Sequence, residues 1–192
     1  MSRIMIVGSG GSGKSTFAKE LGDILKKPVY HLDAYYWKPG WTPTPNDEWD
    51  QFLNEILSED EWIIDGNYGR TLELRMKRSD VIIFFDLSPW ITTYRVIKRR
   101  IKYHGKTRAD LNEGCLEQLD WNFVKWVWNF RKNKRPEILD KIHRNGQNKR
   151  IIIFKDRAEV SNCLKAIRVE GEGYFEERLY NPARYSQGVE IE

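Results

Sequence analysis

The sequence predicts an α/β fold in which a five-stranded parallel sheet carries helices on both faces. Two observations lead to this prediction: short runs that are apolar throughout alternate along the chain with apolar stripes at helical spacing. A strand that is apolar on both faces is typical of a parallel sheet buried between two helical layers. A chain of 192 residues also has the size of one domain with a full core.

Five runs are candidate strands and five stretches are candidate helices. The candidate strands are residues 4–7, 29–32, 62–64, 81–85 and 151–154. The candidate helices are residues 17–25, 49–57, 90–101, 116–130 and 160–167. Asn46 is a plausible N-cap of the second helix. Residues 38–45 contain three prolines, which we expect to exclude regular strand pairing, so this stretch is predicted to be a loop.

The apolar pattern stops near Ile167, so the folded domain is predicted to span residues 1–167. Residues 168–192 are rich in glutamate and lack apolar periodicity. They are interpreted as a C-terminal extension to which no role is assigned.

Composition and charge limit the class of protein. A net charge of +4 is mild, and by itself it indicates neither nucleic acid nor membrane as a partner. Cys115 and Cys163 are too few for a disulfide scaffold and have no CxxC spacing. No apolar run reaches the ~20 residues needed to cross a bilayer. We therefore expect a reduced, cytoplasmic protein without a membrane partner.

The most specific motif is GxxxxGK[ST], which is matched by Gly8, Gly13, Lys14 and Ser15. It follows the first candidate strand and leads directly into the first candidate helix, which is the context that a phosphate-binding loop requires. Glycines let successive backbone N–H groups point inward, and the helix N-terminus adds a positive dipole. The alternative is a flexible Gly/Ser turn before a helix, which this context disfavours.

The motif predicts a P-loop NTPase that binds ATP with Mg²⁺. Lys14 would contact the β and γ oxygens, Ser15 would offer its hydroxyl to Mg²⁺, and Thr16 would reach the α-phosphate. The predicted phosphate-binding residues are Gly8, Ser9, Gly10, Gly11, Ser12, Gly13, Lys14, Ser15 and Thr16. The chain has no Asn-Lys-x-Asp guanine motif, which argues against a GTPase switch.

Residues 62–71 resemble the third-strand motif of adenylate kinases, an apolar strand that ends in Asp-Gly and is followed shortly by Arg-Thr. Asp65 with Gly66 and Arg70 with Thr71 match that motif, with one extra residue between the two pairs. The resemblance implies that Asp65 takes part in holding magnesium and that Arg70 contacts a phosphate of the substrate.

Residues 94–100 resemble the helix that leads into the lid of adenylate kinases. The resemblance implies that Arg95 stacks on adenine and that Arg99 contacts phosphates, and a spacing of four puts both on one helix face. Residues 107–110 resemble the return from the lid, where Arg108 would also bind phosphate. Only residues 101–106 separate these landmarks, so the expected fold is adenylate-kinase-like with a shortened lid.

A closer resemblance covers the chain from Arg3 to about Ile167. The segments RIMIVGSGGSGKST, PVYHLDAYYWKPGW, EWIIDGNYG, YRVIKRRIKYHGKTR and LDWNFVKWVWNF are similar to the bacterial DNA topology modulation protein (FlaR-like) family. Members of this family look like small P-loop kinases whose substrate is unassigned, and the family name comes from a phenotype. The resemblance implies a kinase or, as the alternative that the name suggests, an ATP-dependent DNA-binding regulator.

Asp33 follows the second candidate strand, so Asp33 and Asp65 are both expected at strand ends that face the phosphate loop. In small-molecule kinases of similar fold, an acid at this position orients or deprotonates the acceptor hydroxyl. The alternative is that Asp33 caps the following segment. The predicted catalytic residues are Lys14, Asp33, Arg99 and Arg108, and the predicted acceptor-binding residues are Asp33, Tyr36, Trp37 and Arg70.

Aromatic and basic residues leave further alternatives open. The side chains that follow Asp33 either stack on the acceptor or pack as core, whereas Trp121 and Trp126 are predicted to be core. Basic residues between positions 95 and 108 would stabilise the transferred phosphoryl group. A second basic run at 131–144 is interpreted as a solvated helix surface, and no recognisable nucleic-acid module supports a DNA partner.

Overall fold

The computed structural model describes residues 2–105, 114–115 and 120–176. The five predicted strands are confirmed, and they form one parallel sheet. The strands are β1 (Arg3–Gly8), β2 (Val29–His31), β3 (Trp37–Lys38), β4 (Thr42–Pro43), β5 (Trp62–Asp65), β6 (Val81–Phe85) and β7 (Arg150–Phe154). The helices are α1 (Lys14–Leu25), α2 (Leu32–Tyr36), α3 (Asn46–Leu57), α4 (Leu72–Arg78), α5 (Pro89–Lys102), α6 (Trp121–Asn133), α7 (Arg135–Asn145), α8 (Arg157–Glu170) and α9 (Gly173–Glu176).

Strand β1 lies at the centre of the sheet, whose order is β2-β5-β1-β6-β7. The chain builds β2 and β5 on one side of β1 and then β6 and β7 on the other, so β1 is the topological switch point where ligands bind in such sheets. The register sets Asp65 beside Ile6 of β1 and beside His31 of β2. The loop after β1 therefore lies next to the carboxyl ends of β2 and β5.

The two faces of β1 are buried under different helices. Ile4 shares a buried cluster with Phe17 of α1 and Ile167 of α8. The next residue, Met5, points to the opposite face and shares a cluster with Trp49 of α3. Because both faces are covered, the strand is apolar throughout, and each side chain buried in this way contributes about 1.5–3 kcal/mol of transfer free energy.

The segment 37–43 differs from the prediction that its prolines exclude strand pairing. Trp37 pairs with Pro43 and Lys38 pairs with Thr42 in a two-residue antiparallel ladder. Both strands are edge strands, where a proline can occur because its missing N–H need not face the partner strand.

Asn46 is the first residue of α3 and not its N-cap, so this prediction is wrong by one position. Pro45 occupies the cap position, and its carbonyl accepts the first helical hydrogen bond from the N–H of Trp49 at 2.9 Å. The fixed φ of proline already suits a helix entrance.

Trp121 is 68% exposed, so the prediction that it belongs to the core is wrong. It is the first residue of α6, whose N-terminus is capped by the Asp120 side chain, and it lies outside the buried stripe of that helix. Trp126 is half-buried and packs against a small cluster formed by Val96, Val124 and Val127.

Helices α2, α4, α7 and α9 were not among the candidate elements. Short length hides α2, α4 and α9, because an apolar stripe needs more than one or two turns to stand out. Helix α9 extends the core beyond Ile167, since Tyr174 and Phe175 are buried in the cluster that contains Ile4. No helix within the described residues has the length and apolar character to cross a membrane.

The start of β1 and the start of β6 are joined by an ion pair. The guanidinium of Arg3 donates to both carboxylate oxygens of Asp80, at 3.1 and 3.0 Å, and the backbone N–H of Arg3 adds a third bond at 2.9 Å. Partial burial opposes ionisation of Asp80, but the hydrogen bonds from Arg3 outweigh it and hold the pKa of this carboxyl below its ordinary value.

Replacing Asp80 by Asn should destabilise the fold by about 1–2 kcal/mol at pH 7, a range that allows for screening of this partly exposed pair. Because the pKa is lower in the folded state, the contribution is complete above the unfolded value of about 4 and disappears as the pH falls through the folded value. Urea unfolding at pH 7, 5 and 3 should therefore show a difference from wild type that shrinks at pH 3.

The matched control is Asp23→Asn, because Asp23 is an exposed aspartate of α1. It should change the free energy of unfolding by less than about 0.5 kcal/mol at any of these pH values. A loss in Asp80→Asn that is equally large at pH 3 would contradict the assignment of this stability to the ionised carboxylate.

Candidate functional site

The loop at residues 8–13 connects β1 to α1 and packs tightly against α5 and α6. Gly11 has φ +73°, and a Cβ atom at this position would lie 2.4 Å from the carbonyl oxygen of Thr92. A Cβ atom on Gly10 would lie 2.7 Å from the Phe123 ring. Glycine is therefore required by the close approach of two helices as well as by the turn of the loop.

The N-terminus of α1 is open towards an anion. Gly13 precedes the helix in the left-handed region, with φ 98°, and offers no side chain to cap the first N–H groups. Uncapped N–H groups and the helix dipole together attract negative charge. The ammonium of Lys14 lies over the same loop and donates to the carbonyl oxygen of Ser9 at 2.9 Å.

Asp65 connects the phosphate loop to the ends of two strands. Its carboxylate is 3% exposed and accepts a hydrogen bond from the hydroxyl of Ser15 at 2.8 Å. The Nδ1 atom of His31 lies 2.6 Å from the other carboxylate oxygen. The parallel register explains the second contact, since His31 and Asp65 are partners at the ends of β2 and β5.

Ser15 and Asp65 fit the requirements of Mg²⁺. Both offer hard oxygen ligands, and their oxygens are 2.8 Å apart, close to the roughly 2.9 Å between neighbouring ligands of an octahedral Mg²⁺. Among the described residues, no group of three or more His, Cys, Asp or Glu side chains could hold a metal ion alone. A cation bound at this pair would therefore need phosphate and water as further ligands, which is the usual behaviour of Mg²⁺.

A cavity of about 180 Å³, which we call the Asp33 cavity, lies on the β2 side of the loop. Its polar lining comes from the phosphate loop and from the ends of β2 and β5. Aromatic side chains of three different segments complete it. The lining residues are Gly8, Gly10, Lys14, Ser15, His31, Asp33, Trp37, Asp65, Gly66, Asn67, Tyr68, Phe123 and Trp126.

Within this cavity the phenol of Tyr68 donates to the carboxylate of Asp33 at 2.7 Å. Burial raises the pKa of Tyr68 well above its ordinary value, and the negative charge of Asp33 raises it further. Tyr68 therefore stays protonated at physiological pH and holds Asp33 in one orientation. Asp33 itself is exposed and lies in the short helix α2, one residue past its start.

A second cavity of about 440 Å³, the Arg95 cavity, lies on the other side of the loop. Gly11, Ser12, Gly13 and Thr16 line it from the loop, and Arg95 of α5 and Arg157 of α8 line it from the helices. Partial burial lowers the pKa of Arg95, and the nearby positive charge of Arg157 lowers it further. Glu20 also lines this cavity, but its two guanidiniums outnumber that one carboxylate and favour a negatively charged ligand.

Arg75 holds the segment that links Asp65 to Tyr68. It is fully buried, and its guanidinium donates to the carbonyl oxygens of Gly66 at 3.0 Å and Tyr68 at 2.9 Å. Burial lowers the pKa of Arg75 to about 10, so it remains charged at neutral pH. This arginine acts from behind the site and does not line either cavity.

The predicted site residues fall into three places. Most of them line a cavity, whereas Ser9 of the phosphate loop is buried and lines neither. The Asp33 cavity is lined by Gly8, Gly10, Lys14, Ser15, Asp33, Trp37 and Asp65, and the Arg95 cavity by Gly11, Ser12, Gly13, Thr16 and Arg95. Arg70, by contrast, is exposed and forms a two-pronged ion pair with Asp50 at 2.6 and 3.0 Å. Tyr36 packs against the rings of Trp49 and Tyr68.

Neither Arg99 nor Arg108, the two other predicted phosphate-binding arginines, is among the described residues that line the cavities. Arg99 is half-buried on α5 and is not among the residues that line the two cavities. Arg108 lies outside the described residues. The phosphate contacts of both remain predictions.

Sequence reasoning missed four residues that shape the site, namely His31, Tyr68, Arg75 and Arg157. A signal existed for His31 and Arg157, since each adjoins the carboxyl end of a predicted strand, where ligands bind. Tyr68 and Arg75 carried no local signal, because their partners depend on how the segment after β5 folds back.

Comparison with known proteins identifies the fold. No protein-family model and no curated protein matches the chain. Shikimate kinase from Bacteroides thetaiotaomicron has a similar structure, with a TM-score of 0.52 and 17% identity over 87% of this chain and 96% of that one. Shikimate kinase from Acinetobacter baumannii, in complex with shikimate, gives a TM-score of 0.54 and 11% identity over 99% and 96%.

At these identities the similarity concerns the fold alone. Together with the five-stranded parallel sheet, it confirms an α/β P-loop NTPase fold of the adenylate-kinase-like type. The similarity to the DNA topology modulation protein family remains a prediction.

Replacing Arg75 by Met should destabilise the protein by about 2–4 kcal/mol, because two buried carbonyl oxygens lose their donors. Arg75→Lys keeps the charge but cannot reach both carbonyls with the same fork geometry, so it should be intermediate. Urea unfolding at pH 7 measures both. Lys77→Met on the exposed side of the same helix is the control and should cost less than about 0.5 kcal/mol. Equal stabilities of Arg75→Met and Lys77→Met would contradict the assigned role.

Proposed function

We propose that this protein is an ATP-dependent phosphotransferase that passes the γ-phosphate of Mg·ATP to the hydroxyl group of a small molecule. One observation carries the proposal: the phosphate loop separates two cavities of opposite character. The Arg95 cavity presents two guanidiniums against the one carboxylate of Glu20, and the Asp33 cavity presents a carboxylate held by a phenol. A donor nucleotide and an acceptor alcohol need such different environments on the two sides of a transferred phosphoryl group.

In this proposal ATP occupies the Arg95 cavity and extends its phosphates along the loop. Arg95 and Arg157 lie where the base and ribose would leave the loop, next to Gly13 and Thr16. Lys14 and the first N–H groups of α1 bind the β- and γ-phosphates and stabilise charge that develops there during transfer. Ser15 and Asp65 would hold Mg²⁺, which neutralises phosphate charge when bound.

The acceptor occupies the Asp33 cavity, and Asp33 orients its hydroxyl group. In the transfer the acceptor O–H bond breaks and its proton passes to the Asp33 carboxylate. A new P–O bond forms to the acceptor while the bond between the β,γ-bridging oxygen and the γ-phosphorus breaks, and ADP leaves with the electron pair. Tyr68 donates to the same carboxylate and keeps it aimed into the cavity.

The comparison supports this class of reaction, since the two solved structures described above are named as shikimate kinases. One of them is described in complex with shikimate, so shikimate belongs in the first panel of acceptors to be tested. The predicted cytoplasmic location is part of the same proposal.

The nucleic-acid hypothesis gains no support from the second basic run. Arg131 and Arg135 both approach Asp86, at 3.9 and 2.8 Å. Lys134 and Lys141 both pair with Glu137. Cations engaged with acidic neighbours contribute less to a patch that would neutralise DNA phosphates.

The proposal is tested by incubating the purified protein with Mg·ATP and a panel of alcohols, sugars, amino alcohols, hydroxy acids, nucleosides and nucleotides. Release of ADP is followed with and without each acceptor. The proposal expects at least one acceptor to raise ADP release well above the acceptor-free rate. ADP release that no member of the panel increases would count against it.

Asp33→Asn should lower kcat by about 100-fold or more with any acceptor found, because general-base catalysis contributes roughly 10²–10⁴-fold. The KM for ATP should change little, since Asp33 lies on the acceptor side. Tyr68→Phe removes only the orienting hydrogen bond and should cost about 10-fold or less. Asp47→Asn in the exposed first turn of α3 is the control and should leave kcat unchanged. A normal kcat in Asp33→Asn would remove the assigned role.

Arg157→Ala should raise the KM for ATP by roughly 10-fold with little effect on kcat, because one charge-assisted contact to the nucleotide contributes about 1.5–3 kcal/mol. Lys165→Ala is the matched control, since Lys165 is an exposed cation on the same helix and does not line the Arg95 cavity. Steady-state kinetics with varied ATP separates the two parameters. The same KM in both variants would show that Arg157 does not serve the nucleotide.

A further inference from the structure

The charges that line the Asp33 cavity bear on which acceptor it can receive. Asp33 brings a carboxylate that faces the acceptor, whereas the carboxylate of Asp65 is engaged by Ser15 and His31 and would hold Mg²⁺. Among the described residues that line the cavity, Lys14 is the one lysine or arginine. Lys14 lies over the phosphate loop, where its ammonium contacts Ser9. An anionic group on the acceptor would therefore meet the Asp33 carboxylate and the incoming phosphates, and no described arginine of the lining would pair with it.

The arginines around the cavity are directed elsewhere. Arg70 is paired with Asp50 at the surface. Arg75 is turned towards backbone carbonyls behind the cavity. The guanidinium of Arg100, a buried residue, lies 5.1 Å from the centre of the Phe123 ring. None of these three lines the cavity, so none offers the bidentate contact that carboxylates and phosphates usually receive in proteins.

The remaining lining is aromatic. Trp37, Tyr68, Phe123 and Trp126 come from three separate segments, and the last two rings are nearly parallel, with centroids 5.8 Å apart. Aromatic faces attract ammonium groups and pack well against the apolar faces of sugar rings. The cavity volume of about 180 Å³ is below the roughly 300–1,000 Å³ of pockets for drug-sized ligands, which favours a small acceptor.

We infer that the acceptor is a small hydroxyl compound without an anionic group, namely an amino alcohol, an amino sugar or a neutral sugar. The inference rests on the proposed function for the transfer itself and adds the charge class of the acceptor. Asp33 receives the hydroxyl proton and its carboxylate favours a nearby ammonium group, and the aromatic rings cover the apolar part of the molecule. Hydroxy acids, sugar phosphates and nucleotides carry anionic groups that the same carboxylate and the transferred phosphates repel.

The test uses two series in which only the charge changes. The ring series is glucosamine, glucose, glucuronate and glucose 6-phosphate, and the short series is ethanolamine, ethylene glycol and glycolate. For each compound, kcat/KM is measured from acceptor-dependent ADP release. Binding is measured separately by calorimetry in the presence of Mg²⁺ and a non-hydrolysable ATP analogue. In at least one series, the amine or neutral member should exceed the anionic members at least ~10-fold in both measurements.

The outcomes separate the two proposals. ADP release that is greatest with glucuronate, glucose 6-phosphate or glycolate would support the kinase and overturn the charge class. The expected binding order without any ADP release would support the charge class and count against the kinase. Binding of no amine or neutral member of either series would overturn the inference.

A variant at Asn67 tests the charge class of the acceptor by changing the charge of the cavity. Asn67 lines the cavity and is half-buried, so a longer cationic side chain there can reach the acceptor. Asn67→Lys should raise the ratio of anionic to neutral acceptor binding by at least ~10-fold, whereas the control Asn67→Gln should change it less than about two-fold. A thermal melt confirms that both variants fold. An unchanged ratio in a folded Asn67→Lys protein would contradict the inference.

Discussion

The carboxylate of Asp65 is the interaction on which the rest of the site depends. A buried carboxylate is costly unless hydrogen bonds surround it, and Asp65 is 3% exposed. Ser15 at the start of α1 and His31 at the end of β2 supply its contacts, at 2.8 and 2.6 Å. One charge therefore fixes the position of the phosphate-loop helix relative to β5 and β2. The hydroxyl oxygen of Ser15 and the carboxylate oxygen of Asp65 are hydrogen-bonded to each other. The same two oxygens are suited to bind a magnesium ion.

The segment that follows Asp65 connects this carboxylate to the Asp33 cavity. Arg75 binds the carbonyls of Gly66 and Tyr68 and so holds the backbone of this segment, and the Tyr68 ring packs against the rings of Tyr36 and Trp49. Because burial keeps the pKa of Tyr68 high, its phenol remains a donor and fixes the carboxylate of Asp33. An exposed aspartate on a five-residue helix thus acquires a defined direction from a fully buried arginine two contacts away.

Much of the fold and the centre of the site could be predicted from the sequence, because both depend on local patterns. Apolar runs gave the five strands, and parallel strands bring their carboxyl ends together, which is why Asp33 and Asp65 both line one cavity. The direction of Arg70 could not be predicted, because it depends on Asp50 of α3, a partner twenty positions earlier in the chain. The prediction that Trp121 is buried was wrong for a related reason. Its apolar ring suggests burial, but only the packing of α6 decides which face of the helix is buried.

The separation of charge across the phosphate loop would give the proposed transfer its direction. Partial burial and the positive charge of Arg157 lower the pKa of Arg95, which is a cost that a phosphate chain beside them would relieve. On the opposite side, Asp33 lies among aromatic rings, where a second set of phosphates would face repulsion. In the proposed reaction, nucleotide and acceptor therefore do not exchange places, and the phosphoryl group would pass along the loop from the basic side to the acidic side. Helices α5 and α6 pack so closely on this loop that they require its glycines. A methyl group at Gly11 would lie 2.4 Å from the Thr92 carbonyl oxygen.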